Sequence, residues 1–228
     1  MQRKIIITED GSATIQIEDW NEQYHSVHGA IQEANHVYIK HGLLFCSEAL
    51  SAEKKGISLL EIGFGTGLNA ILSLLTAEAL KLHINYVGVE GFPVSSEELQ
   101  QLNYVEQLQM DKHRFDRLHN CSWEEPHAIS EAFTLTKKQL FFKDIAEVNA
   151  YDLIYFDAFG ARVQPELWTE DIFKLMFDAL RPNGVLTTYS AKGSVRRAMQ
   201  AVGFEVERLA GPPGKREMLR AVKKGSGQ

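Results

Sequence analysis

The stretch of this 228-residue chain best suited to do chemistry is Glu61-Ile62-Gly63-Phe64-Gly65-Thr66-Gly67. Three glycines between an apolar run and a helical pattern let the backbone turn tightly and approach a ligand closely. In open α/β sheets, ligands lie outside the carboxyl ends of the strands. Two phosphate-loop patterns fail here. G-x-G-x-x-G would need a glycine where Leu68 stands, and no Lys follows in the manner of G-x-x-x-x-G-K-[ST]. Three carboxylates follow other apolar runs: Glu90 after Ile84-Asn85-Tyr86-Val87-Gly88-Val89, Asp144 after 133–142, and Asp157 after Tyr151–Phe156. An acidic side chain placed like Glu90 can accept both hydroxyls of a ribose. Each acid alone is better explained as a loop residue or a helix cap. Three of them at strand ends, beside a glycine loop, favour a nucleotide site. No H-E-x-x-H, G-x-S-x-G or kinase signature occurs, so metalloprotease, serine-hydrolase and kinase chemistry lack support.

The elements that must carry these residues follow from periodicity and turn signals. A β-hairpin is expected at the start: Ile5-Ile6-Ile7, a turn through Asp10-Gly11, then Thr14–Ile17. A helix is expected from about Val27 to Lys40, stopped by Gly42. Ser58–Ile62 reads as a strand and about Leu68 to Leu80 as a helix; Ile84–Glu90 is a second strand. Ser95 and Glu98 have capping-box spacing for a helix through Leu108. Strands at 133–142, Tyr151–Phe156 and Val185–Tyr189 follow, with a helix around Asp171–Leu180 between the last two. Ser194 caps a helix to Val202, and two closing strands lie near Phe204–Leu209 and Met218–Val222. The alternation predicts one domain: a seven-stranded, mostly parallel, doubly wound α/β sheet with a C-terminal antiparallel hairpin. An N-terminal β-hairpin/helix extension (1–56) precedes a core at 57–228.

Composition sets limits. No run approaches 18 apolar residues, and the start lacks a signal-peptide core, so neither a membrane partner nor secretion is expected. Cys46 and Cys121 have no ligand spacing, which argues against a structural metal and fits a reducing cytoplasm. The net charge of −6 hides an asymmetry. Residues 1–180 hold 14 Lys/Arg against 27 Asp/Glu, whereas residues 181–228 hold 10 against 3. Such a split can mark a phosphate-binding face on an acidic body, although a mixed solvated surface explains it too.

The E-x-G-x-G-x-G loop resembles the S-adenosylmethionine loop of Rossmann-like methyltransferases. With Asp157-Ala158-Phe159 added, the chain resembles a narrower family, the MnmC/MnmD-type methyltransferase domain acting on the tRNA wobble uridine. The matching pieces span most of the chain. They are Tyr24-His25-Ser26 with Gly29-Ala30, Glu33 and Val37; Glu61 through Asn69; Glu90-Gly91-Phe92-Pro93; and Phe156 through Phe159. Later ones are Pro165 through Thr169, Arg181-Pro182-Asn183-Gly184, Gly193 through Arg197, and Gly211 through Met218. Where the family often has Ala-Pro after Asp-x-Phe, this chain has Gly160-Ala161-Arg162.

The resemblance implies S-adenosylmethionine-dependent methylation of a 5-aminomethyl group to 5-methylaminomethyl, on uridine with or without 2-thiolation. It implies the cofactor on Glu61, Gly63, Phe64, Gly65, Gly67, Asn69, Glu90, Gly91 and Asp144, the last taking a hydrogen bond from the adenine amino group. Asp157 would stand where sulfonium and acceptor meet; an unperturbed Asp is a weak base near neutral pH, so orienting the amine is its expected role. Phe159 is expected to stack on a flipped base. Lys192, Arg196, Arg197, Lys215 and Arg216 are expected to hold phosphates of the tRNA anticodon region. Trp168 is expected in the core, and His25 and His28 fit a cofactor lid or an ordinary surface equally. Some relatives carry a flavin-dependent oxidase domain that makes the amine; here that step is expected either to be performed by a separate oxidase or tRNA-modifying enzyme or not to be needed. Three other readings stand beside this one: an aminopropyl transferase of the spermidine-synthase kind, a small-molecule N-methyltransferase, and a non-catalytic nucleotide-binding protein. Two basic pairs, Arg196-Arg197 and Lys215-Arg216, count against the first.

Overall fold

The computed structural model describes residues 2–48 and 56–225. The junction 49–55 between the expected extension and core lies outside the described residues, as do Met1 and 226–228. Strands β1 (Arg3–Ile7), β2 (Ala13–Ile17) and β3 (Glu22–Gln23) form a small antiparallel sheet, one strand more than the expected hairpin. Helix α1 (Ala30–Ala34) runs without interruption through a π-helical stretch, Asn35–Leu44, into α2 (Phe45–Glu48). Gly42 therefore does not stop a helix. A Cβ there would lie 3.0 Å from the Tyr155 ring and 3.1 Å from Thr187 Oγ1, so glycine lets this helix seat against the sheet.

The main sheet follows in order along the chain: β4 (Gly56–Ile62), α3 (Leu68–Leu80), β5 (His83–Val89), and three short helices, α4 (Ser96–Leu99), α5 (Tyr104–Gln107) and α6 (Lys112–Asn120). Then come β6 (Pro126–Ser130), β7 (Phe133–Lys138), β8 (Tyr151–Phe156), α7 (Glu170–Ala179), β9 (Leu180–Thr188), α8 (Gly193–Ala201), β10 (Glu205–Ala210) and β11 (Glu217–Val222). The strand order is β10-β11-β9-β8-β4-β5-β7-β6, so the sheet has eight strands rather than seven. The added strand, β6, is a polar edge strand, exposed at Pro126 and Ala128, whose weak alternation gives little sequence signal. It pairs antiparallel with β7. The closing hairpin β10–β11 is antiparallel, as expected.

Central strands explain themselves: β8 is buried at all six positions, and its apolar run suits a strand covered on both faces. The expected helix 95–108 divides into α4 and α5 because Gln101-Leu102-Asn103 leave the helix, although the Ser95/Glu98 capping box forms as read. Ser194 is not a cap; α8 starts one residue earlier, after Lys192. β4 lies between β5 and β8, so the connections leaving β4 and β8 diverge and open a crevice at the strand ends. That crevice holds the glycine loop and Asp157.

Candidate active site

Asp157 continues from β8 into the crevice and is fixed from two directions. The Tyr38 hydroxyl donates to Oδ1 at 2.6 Å, and the Asn69 amide donates to Oδ2 at 2.8 Å. The π-helical stretch carries Tyr38 to this place. Wide helical turns recur at functional sites, and here the turn sets a buried ring against Tyr155, centroids 5.1 Å apart. Burial pushes the Asp157 carboxyl up to about 7. The Glu33 carboxylate adds to the rise, while the Tyr38 and Asn69 hydrogen bonds and Lys215 pull against it. The premise of an ordinary, weakly basic aspartate therefore does not hold here. Tyr38 itself is pushed far above the usual phenol range, by burial first and then by Asp157, so it stays a donor.

Asn69, at the start of α3, also donates to Glu61 Oε1 at 2.9 Å, and the Tyr86 hydroxyl donates to Glu61 Oε2 at 2.7 Å. Glu61 is 1% exposed, and that burial raises its carboxyl well above the usual range. One asparagine thus ties the acid of the glycine-loop motif to the acid after β8.

The glycine loop is cut to fit its neighbours. Gly63 has φ +90°, and a Cβ there would meet the Asp157 carbonyl at 2.6 Å. Gly65 and Gly67 also have positive φ, which L residues adopt at a cost. Val89 carbonyl accepts from the Gly63 and Phe64 amides, both at 3.0 Å. Phe64 lies over Gly88 of β5, where any Cβ would enter its ring; Gly88 gives no local signal because its partner is distant in sequence. Glu90 accepts from the Gly65 amide (3.0 Å) and the Phe92 amide (2.9 Å), one with each oxygen. Its carboxylate is thereby oriented over the loop with lone pairs remaining for further donors.

Two cavities meet at this place. One, about 350 Å³, is lined by Glu61, Gly63, Phe64, Gly65, Asn69, Glu90, Asp157 and Phe159, among others. The second, about 370 Å³, is more apolar and includes Gly91, Leu140, Phe141 and Lys143. Glu90, Phe142 and Gln164 line both, so the two form one trough in the usual size range of small-ligand sites. Polar groups cluster in the first part and an apolar slot follows beyond Glu90, which fits a nucleoside cofactor with a charged end. Asp144 closes the turn Phe142–Asp144 with its side chain exposed, and it lines neither part. Gly67 packs under the loop, where a Cβ would lie 2.8 Å from His119 Cε1.

The far wall comes from the N-terminal sheet. Phe159 meets Tyr24 and Trp20 edge-on, at 4.9 and 5.6 Å between centroids. Arg162, in the segment that departs from the family pattern, donates to the Trp20 and Asn21 carbonyls at 3.0 and 3.1 Å and pairs with Glu22. The departure thus clasps the loop between β2 and β3 to the segment after Asp157. Trp168 is core, as expected; its indole N–H donates to the Phe159 carbonyl at 2.7 Å. Tyr189 fixes the same segment, donating to the Ala158 carbonyl at 2.8 Å. His25 lines the cavity with Nδ1 2.8 Å from Thr14 Oγ1, and burial lowers it to about 4, so it is neutral at physiological pH. His28 lines it as well, and pairs with Glu9 at 3.1 Å.

The basic residues divide. Lys215 points inward: it lines the cavity, pairs with the buried Glu33 and stands 4.1 Å from the Tyr189 ring centroid. Its partner Glu33 also accepts from the Ser26 amide at 2.7 Å. Lys192, Arg196 and Arg197 have no carboxylate within ion-pair range among the described residues, and Arg216, 92% exposed, has a long ion-pair contact with Glu217 at 3.8 Å. Sequence reasoning missed Tyr38, Tyr189, Gln164 and the pairing of Glu33. Tyr38 falls inside the helix expected from Val27 to Lys40; the signal was its hydroxyl, which needs a partner once buried. Among the described residues, no group of three His, Cys, Asp or Glu is placed to hold a metal, and no helix is long and apolar enough to cross a membrane.

Residues 112–224 match a family of S-adenosyl-L-methionine-dependent methyltransferases. A bifunctional protein of tRNA 5-methylaminomethyl-2-thiouridine biosynthesis, MnmC from Actinobacillus pleuropneumoniae, is 26% identical over 224 residues; the match covers 89% of this chain. The chain spans about a third (32%) of that relative's length. MnmC2 from Aquifex aeolicus superposes with a TM-score of 0.77 at 27% identity, covering 98% of this chain and 70% of that one. Spermidine synthase from Thermotoga maritima, at 13% identity and a TM-score of 0.52 over 94% of this chain and 69% of the other, shares the fold alone. Fold, crevice and matches agree on one class: the chain is similar to S-adenosyl-L-methionine-dependent methyltransferases, MnmC and MnmC2 among them.

Proposed function

We propose that this chain transfers a methyl group to the 5-aminomethyl nitrogen of the tRNA wobble uridine, giving 5-methylaminomethyluridine. The observation that carries the reading is Asp157: a carboxylate at the end of β8, raised to about 7, in a cavity shared with the glycine loop. When bound, S-adenosylmethionine would supply a methyl group on a sulfonium, from which the neutral thioether is a good leaving group. What remains for the protein is alignment and one proton. An alkylammonium has no lone pair, so the acceptor must lose a proton before or during attack. Asp157, ionised over the upper half of its titration, takes that proton while Tyr38 and Asn69 hold its oxygens. This assigns it more than the orienting role expected of an ordinary aspartate.

Glu61, Asn69, Gly63, Phe64, Gly65 and Gly67 form the cradle at the methionine end, and Glu90 receives the ribose hydroxyls. Gly91 opens the apolar slot that takes the adenine. Asp144 reaches the adenine amino group only after a change of side-chain direction. Lys192, Arg196, Arg197 and Arg216 hold RNA phosphates, whereas Lys215 sets the charge balance of the pocket through Glu33. Support for tRNA as substrate comes from the names of the relatives and from exposed cations on elements adjoining the cavity.

The test is to incubate the protein with labelled S-adenosylmethionine and undermodified tRNA bearing 5-aminomethyluridine, then to digest and separate nucleosides. Label in 5-methylaminomethyluridine is the expected result. Label transferred only to free amines, with tRNA untouched, would overturn it.

A further inference from the structure

A third cavity, about 480 Å³, opens beside the first and is lined by Arg3, Ile17, Trp20, Phe92, Ser95, Glu98, Phe159 and Gln164. It shares Phe159 and Gln164 with the reaction site, and Phe92 and Gln164 with the apolar slot. Gln164 therefore stands where all three meet, and the groove is continuous with the acceptor wall. Its lining combines three aromatic side chains with Ile17, the Arg3–Glu98 pair, the Gln164 amide and the Ser95 hydroxyl. Phe92 is 65% exposed, with its backbone amide held by Glu90 and its ring edge-on to Phe141 at 5.8 Å between centroids. Arg3 is held in place by Glu98 at 3.2 Å and lies 5.7 Å from the Tyr24 ring centroid, leaving donors toward the groove.

Resting on the tRNA reading above, we propose that this groove holds the base next to the modified uridine, stacked on Trp20 or Phe92. Continuity fixes the occupant. A nucleotide whose base enters the reaction cavity past Phe159 carries its neighbour over the adjoining surface, and that surface is aromatic. Taking one base out of a single-stranded loop unstacks the next, and an aromatic platform offsets that loss. Arg162 belongs to the same device, because it clasps the loop that carries Trp20.

The test pairs protein variants with altered anticodon stem-loops bearing 5-aminomethyluridine, at saturating S-adenosylmethionine. Two stem-loops carry an abasic residue, one on the 5′ side and one on the 3′ side of the modified position. For the unaltered protein, one of the two lowers kcat/KM roughly 10- to 100-fold, the size of one base–aromatic stack. In Trp20→Ala or Phe92→Ala, intact and abasic stem-loops become nearly equal substrates, because the partner of that base is gone. Phe92→Ala guards against a folding defect in the tryptophan variant, since the ring is exposed. An abasic penalty that persists at full size in both variants, or that is absent from the unaltered protein on both sides, overturns the groove. Failure of the unaltered protein on the intact stem-loop would instead overturn the underlying substrate reading.

Discussion

Asp157 concentrates the residue-scale chemistry, because a carboxylate held near neutrality can give and take a proton within the working range. Its ionised form is the base, so kcat/KM should fall as pH drops through about 7, and rise to a plateau above it. Asp157→Asn should keep cofactor affinity, measured calorimetrically, while losing roughly 10²- to 10⁴-fold in kcat, the usual worth of a positioned base. An unchanged rate in that variant would remove Asp157 from the chemistry. Tyr38→Phe is the subtler probe. The phenol donates to the ionised carboxylate and so lowers its pKa; without it the acid limb should move to higher pH. A limb that stays in place would show that Tyr38 is only a packing group.

At the scale of elements, the glycine loop works because β4, β5 and β8 are threaded past one another with little clearance. Gly63 admits the Asp157 carbonyl and Gly88 admits the Phe64 ring. Gly88→Ala adds one methyl group inside that ring's envelope, so Phe64 must move and take the loop with it. Overpacking of this kind costs about 1–3 kcal/mol, and a matching fall in thermal stability is expected. Affinity for S-adenosylhomocysteine should weaken about tenfold or more, while Gly225→Ala, where a Cβ would make only ordinary contacts at 3.5 Å and beyond, leaves it unchanged. The positions of α3, α7 and the closing hairpin were readable from periodicity. Gly42 and β6 were not. A glycine reads as a helix stop whether it ends a turn or admits a sheet, and a polar edge strand has no apolar face to announce it.

Across the whole molecule, charge is sorted more finely than the chain-wide figure of −6 suggests. Several cations of the basic closing segment are consumed internally: Arg181 by Asp152, Lys215 by Glu33, and Arg220 by Glu207 and the Phe45 ring. Those left outward flank α8 and the β10–β11 loop, next to Tyr189 and Lys215 of the cavity wall. Binding of tRNA through them should weaken steeply with salt. Removing Arg196, Arg197 and Arg216 together should lower the slope of log K against log salt by roughly 0.7–1 for each phosphate that the variant no longer neutralises. A slope unaltered in the triple variant would place the RNA elsewhere.

Local pattern alone determined the alternation of strands and helices, the glycine loop, and the acids at the strand ends. Each of those is written in neighbouring residues, and elementary sterics and periodicity suffice to read it. Only the tertiary structure decided what the acids are. Asp157 meets Tyr38 across 119 positions of sequence, and burial between them turns a weak base into a competent one. Lys215 reads as one more surface cation until Glu33, 182 positions away, draws it inward. Burial and distant partners set a side chain's solvation and its field, and neither is a property of the residues beside it.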